Sequence, residues 1–323
     1  MTPIDRRTLL LAGSATLIGS GARAQAYPAR PVRIIVPFPA GGSNDIIARI
    51  LAQYLAERTG QQFFIENRGG AGGNIGANAV ATADPDGYTL LLTAPPPLTI
   101  NGTLYRSLAY NPTTAFAPIA LVASVPIVLA VHPSVPARNV AELVALAKAK
   151  PGTINFGSSG NGSTNHLSGE LLKSMTGIDI VHIPYTGAGP AMNDLIAGSI
   201  PMMFDNIPAI LPQVEGRRIN AIGVAGLKRA TALPNVPTLN ESGVPGFDAS
   251  AWFGLVAPAR TPPEVLARLE TEVTAILKLP DMQKRLTDLG AEPGSVTGAA
   301  YGAFLAEETA KWAKLIQASG ARM

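Results

Sequence analysis

Two uncharged, glycine-rich loops constrain this chain more than anything else in it. The first is Pro37-Phe38-Pro39-Ala40-Gly41-Gly42-Ser43-Asn44-Asp45. It follows a β-branched run, Val32 to Val36, and precedes apolar residues at helical spacing, Ile46, Ile47, Ile50, Leu51, Tyr54 and Leu55. The second is Gly157-Ser158-Ser159-Gly160-Asn161-Gly162-Ser163-Thr164-Asn165-His166, between the strand-like 153–156 and a helix over 165–176. Strand, glycine turn and helix start recur in each half. Glycines let backbone N–H groups approach a ligand, and a helix N-terminus favours an anion. Neither loop contains Lys or Arg. An anion held here is therefore held by amides and hydroxyls, and two such loops read as half-sites closing on one small anion. The structural alternative for the first loop is an ordinary β–α turn capped by Asn44 or Asp45.

At 323 residues, the chain has room for two domains. Hydrophobic residues at 47% against 15% charged describe a chain with a large core rather than a disordered one. There is no Cys, which removes disulfides and thiolate chemistry. Arg6-Arg7, the apolar stretch from Leu9 to Ile18 and Ala24-Gln25-Ala26 predict a secretory signal over 1–26, cleaved after Ala26. The arginine pair fits a twin-arginine signal, with a Sec signal that happens to carry Arg-Arg as the alternative. Removing the signal's net +2 from +3 leaves +1, which excludes nucleic-acid binding by charge. The apolar run Phe116 to Val131 is too short to span a bilayer and reads as two buried strands meeting near Ser124.

Between Tyr27 and Thr93 the pattern is βαβαβ, which predicts a parallel sheet covered by helices. The glycines of 69–73 fit neither a dinucleotide fingerprint nor a P-loop. A second βα series runs from Asn139 to Ala225. Residues 231–250 read as a long connection, and a strand over 251–256 returns the chain to the first domain. The expected division is 27–123 with 250–323 as domain 1 and 124–249 as domain 2, with the C-terminal helices packed on the first.

Chemistry beyond binding has little support. His132, His166 and His182 form no metal-binding spacing, and Gly157-Ser158-Ser159-Gly160-Asn161 lacks the last glycine of a nucleophile elbow. The expectation is no enzyme activity, no cofactor and no metal. His166, just inside a helix start, reads as a donor supporting the loop. Asp45 has three open readings: a water-mediated ligand contact, a helix cap, or an ion pair with Arg49. Asp205, at a strand end, either fixes a loop or meets a ligand donor group. Tyr185, before the Gly187 turn, offers a hydroxyl, and Phe38 covers the apolar part of a small ligand.

These residues carry a family resemblance. Pro31 to Phe38, Gly41-Gly42 with Asp45, Glu66 to Gly73, Asp84 with Gly87-Tyr88-Thr89-Leu90, Gly160, Gly162, Thr164, His166, Pro184 to Gly187 and Phe204-Asp205 occur in that order. The chain resembles the Bug, or TctC-like, substrate-binding proteins of tripartite tricarboxylate transporters over essentially its whole mature length. The resemblance implies a periplasmic, non-catalytic protein. It implies a type II periplasmic-binding-protein fold, two α/β domains around a ligand cleft joined by two crossover strands. It further implies a small carboxylate held by loops matching Phe38 to Asp45 and Ser158 to Thr164, partly through water, and membrane transporter subunits as partners. A monomer is expected. The alternatives are a binding protein that presents a carboxylate to a sensor kinase, and a secreted hydrolase using Ser158, Ser159 or Ser163 with His166.

Overall fold

The computed structural model describes residues 27–319, so the expected signal peptide over 1–26 lies outside the described residues. Two sheets organise the chain. The first has six strands in the order β11-β4-β10-β3-β1-β2. Its parallel heart is β1 (Val32–Val36) between β2 (Phe63–Asn67) and β3 (Thr89–Thr93). Antiparallel strands extend it: β10 (Ala251–Pro258) pairs with β3 and with β4 (Phe116–Val125), and the two-residue β11 (Glu292–Pro293) pairs with β4. Side chains alternate across the sheet. Ile34, Leu90 and Leu255 pack under α1 (Ser43–Thr59), while Ile35, Leu91 and Val256 pack under α2 (Asn74–Ala81). A sheet covered on both faces needs uninterrupted apolar strands, and all five residues of β3 are buried.

The short helix α3 (Asn101–Leu104) follows one π-helical turn, Pro96–Ile100, and the sequence reading missed both. Pro95-Pro96-Pro97 reads as a helix breaker, yet proline is tolerated in a first turn. Ile100 and Leu104 pack into the core of the second sheet.

That second sheet runs β7-β6-β8-β5-β9. It contains β5 (Ile127–Val131), β6 (Ile154–Ser158), β7 (Ile180–Pro184), β8 (Met202–Asn206) and β9 (Asn220–Val224). The intervening helices are α4 (Val140–Ala149), α5 (Thr164–Thr176), α6 (Ala188–Ala197) and α7 (Ile207–Glu215). The chain passes between sheets twice, at β4–β5 and from β9 to β10. The first crossing breaks at Pro126, two residues past the expected Ser124, because proline has no N–H for either ladder.

Helices α8 (Pro263–Leu277) and α9 (Pro280–Asp288) cover the first sheet, as expected. Helix α10 (Gly298–Ser319) does not stay there. Tyr301 is buried in the first sheet's core, and Trp312 and Ile316 in the second's. The cleft lies between the sheets at the ends of β1, β6 and β8, and its walls meet. A methyl on Gly187 would lie 3.3 Å from Pro39 of the opposite wall, and one on Gly162 would collide with Leu104.

Candidate functional site

A cavity of about 330 Å³ fills this cleft, within the size range of a small-molecule site. From the first half it is lined by Phe38 to Asn44, with Ala94, Pro96 and Phe253. From the second half come Ser159, Ser163, Thr164, Asn165, the turn 186–190, Asp205 and Asn206. Asp205 is the one ionisable side chain among these residues.

The first loop is shaped from behind. Gly41 has φ +84, a left-handed conformation that suits glycine. Its N–H donates to Asp45 Oδ2 at 3.0 Å, and Arg49 grips the same carboxylate with Nε at 3.0 Å and Nη2 at 2.9 Å. Asn67 Nδ2 donates to Asp45 Oδ1 and to the Phe38 carbonyl, both at 3.1 Å. Burial pushes the Asp45 pKa up, but hydrogen bonds from Arg49, Gly41 and Asn67 outweigh it and hold the carboxyl below its usual range. Of the readings of Asp45, the ion pair with Arg49 is present and the helix cap is not. Neither Asn44 nor Asp45 caps α1, since the N-cap is Gly42 and has no side-chain bond. The first-turn amides of α1 are therefore without a side-chain partner.

The second loop is held by its own side chains. Ser163 caps α5 by accepting from the His166 N–H, and its hydroxyl donates to the Gly160 carbonyl at 2.7 Å. His166 Nδ1 accepts from the Gly162 N–H at 3.1 Å. This ring therefore supports the loop as an acceptor, where the sequence reading expected a donor. Its ring stacks on His182, centroids 3.9 Å apart, with Phe156 beside both. His182 Nε2 lies 2.6 Å from the buried Ser158 Oγ, which accepts from the Gly160 N–H. Burial, with Lys173 nearby, lowers the His166 pKa to about 4. Burial, then His166 and Lys173, lowers His182 to about 3. Both rings are thus neutral near pH 7.

Of the residues singled out in the sequence, Asp45, Ser158, Gly160, His166 and Tyr185 do not line the cavity. The Tyr185 hydroxyl donates to Asp194 Oδ2 at 2.7 Å, and burial together with Asp194 pushes its pKa up to about 12. Phe38 to Asn44, Ser159, Ser163, Thr164, Gly187 and Asp205 do line it. Asn165 went unnoticed in the sequence. Its Nδ2 donates to Asp205 Oδ1 at 3.0 Å and to Ser159 Oγ at 3.3 Å, so it ties the second loop to the end of β8. The start of α6 was also underestimated. Gly187 is its N-cap with no side-chain bond, and Ala188 to Pro190 line the cavity. The signal was there, because Thr186-Gly187-Ala188-Gly189 repeats the strand, glycine and helix pattern.

The helices α1, α5, α6 and α7 thus all start at one cavity without a Lys, Arg or His in its lining. Their positive ends suit an anion. Among the described residues no group of His, Cys, Asp or Glu is placed to hold a metal ion.

The comparisons with known proteins point the same way. The model of the tripartite tricarboxylate transporter family receptors matches residues 47–321. The chain belongs to this family. An R. palustris protein solved with adipate, Rpa4515, is 39% identical with a TM-score of 0.88, over 91% of this chain and 98% of that one. The periplasmic binding protein BugD is 37% identical with a TM-score of 0.86, over 92% and 99%. MatC from Rhodopseudomonas palustris, solved with malate, is 33% identical with a TM-score of 0.85, over 90% and 100%. The chain is therefore a periplasmic solute-binding protein of the Bug type. Its two α/β layers around a cleft form the type II periplasmic-binding-protein fold.

Proposed function

We propose that the cavity captures a small organic carboxylate and that the loaded protein delivers it to the membrane subunits of a tripartite tricarboxylate-type transporter. One observation carries the reading: helix starts, two of them opening at glycines without a side-chain cap, converge on a cavity that holds no cationic side chain. First-turn amides and the hydroxyls of Ser43, Ser159 and Thr164 supply the donors for the carboxylate. Relatives solved with adipate and with malate support the class.

The protein acts as a monomer that binds without turning over its ligand. Ser158 supports the absence of turnover, since it is fully buried, outside the cavity lining and paired with His182 rather than His166. The domains divide at Pro126 and within 225–250, and the residues that touch ligand are the cavity-lining ones. Thermal melts with a panel of mono- and dicarboxylates, sugars and divalent cations test the reading. A carboxylate at 100 times its dissociation constant adds about 2.7 kcal/mol, a clear rise in Tm. Stabilisation by a sugar and by no carboxylate overturns the proposal.

A further inference from the structure

The polar groups of the cavity are not all donors. Asp205 ends β8 and is 1% exposed. Its Oδ1 is fully engaged, accepting from Asn165 Nδ2 at 3.0 Å and from the Asn206 N–H at 2.8 Å. Its Oδ2 is buried and has no hydrogen-bond partner among the described residues. In the next residue, the Oδ1 of Asn206 is likewise buried and unpartnered among the described residues, and both residues line the cavity. The lining offers no Lys, Arg or His to neutralise this carboxylate.

Resting on the carboxylate reading above, we propose that Asp205 Oδ2 selects acids that carry a hydrogen-bond donor, a hydroxyl or ammonium group, next to the carboxylate held by the helix starts. A buried acceptor without a donor is costly, so the matching ligand is one that supplies it. An acid with only a methylene at that position leaves Oδ2 unpaired and is discriminated against, as sites built around a ligand hydroxyl reject analogues lacking it. Burial pushes the Asp205 pKa up to about 6, which still leaves a carboxylate at pH 7.5. At that pH the group accepts and cannot donate.

Calorimetric titration at pH 7.5 tests this with acids matched in chain length: succinate, malate and aspartate; glutarate, 2-hydroxyglutarate and glutamate; propionate, lactate and alanine. In the series that binds, the hydroxyl or the ammonium member should bind at least about tenfold tighter than the plain acid. Whichever substituted member wins identifies the donor. Asp205→Asn keeps Oδ1 for Asn165 and the Asn206 N–H but turns the free atom into a donor, so the preference should vanish or reverse. The wild-type ratio stands on its own should that variant fold poorly. Equal affinity for plain and substituted acids overturns the donor assignment and leaves the carboxylate reading intact. No binding in any series, together with no rise in Tm for any carboxylate of the thermal panel, overturns the carboxylate reading and this inference with it.

Discussion

At the scale of single residues, the two cleft aspartates show how position decides role. Asp45 lies between a guanidinium, a side-chain amide and a backbone N–H. Asp205 has one oxygen satisfied and one left over. Local sequence separates them only in part: Gly41 and Arg49 lie four residues from Asp45, but Asn67 and Asn165 lie 22 and 40 residues from the aspartates they bond. Asp45 is a positioning residue. Asp45→Ala should release Gly41 and Asn67 together, raise Kd about tenfold or more and lower Tm by several degrees, without removing any group that meets the ligand. Calorimetry beside a thermal melt reads both. Unchanged affinity with a lowered Tm would reduce Asp45 to a stability role. Ser159 and Thr164 were legible as cavity candidates because they are hydroxyls in a glycine-rich loop at a helix start, although Ser163 of the same loop serves as the cap of α5. Ser158 was not separable from them, and its duty is to His182, which sequence alone does not bring near.

At the scale of elements, the strand–glycine–helix units were readable from period and turn chemistry, and their boundaries moved by only a residue or two. What was not readable is the other side of each unit. The β6–α5 loop rests on the stacked rings of His166 and His182, and periodicity does not show that β7 brings His182 beneath it. This support sets a pH dependence. Both imidazoles titrate well below 6.5 in the folded chain, at about 4 and about 3. Between pH 6.5 and 4 the unfolded chain therefore binds more protons than the folded one, and stability falls as pH falls. Asp205, raised from 3.8 to about 6, acts oppositely between those two values. It offsets one of the two histidines, so the net change on acidification is a loss. Tm should fall between pH 7 and pH 5. His182→Gln, which keeps a polar partner for Ser158 and cannot titrate, should flatten that slope. A slope identical to wild type would remove the histidine pair from the account. The proline-rich turn before α3 was passed over for a related reason, since composition marks a break but not whether the break serves as a first turn.

At the scale of the whole molecule, the question is how two sheets with separate cores move against each other. Helical spacing over 298–318 shows that α10 has an apolar face, not which core that face meets, and it meets both. The Glu308 carboxylate accepts from Trp252 Nε1 on β10 at 2.8 Å and from Trp312 Nε1 on α10 at 2.9 Å. Lys311 bonds Glu308 and reaches Asp248 at 2.8 Å, just before the chain re-enters the first sheet. This cluster lies beside one crossing, and Pro126 marks the other. A ligand touching both loops bridges the halves, so binding should close the cleft by rotation about these two crossings. Pro39 and Gly187 approach each other across the cleft and should part without ligand. Trp252 and Trp312 are the chain's two tryptophans, so intrinsic fluorescence reports on the hinge itself. Saturating ligand should shift that emission and reduce the radius of gyration in small-angle scattering. Glu308→Ala strips two buried indole N–H groups of their acceptor at about 1–3 kcal/mol each. It should lower Tm and blunt the fluorescence response, while the cavity lining stays intact. Scattering curves that superimpose with and without saturating ligand, in a protein that demonstrably binds it, would refute closure about these crossings.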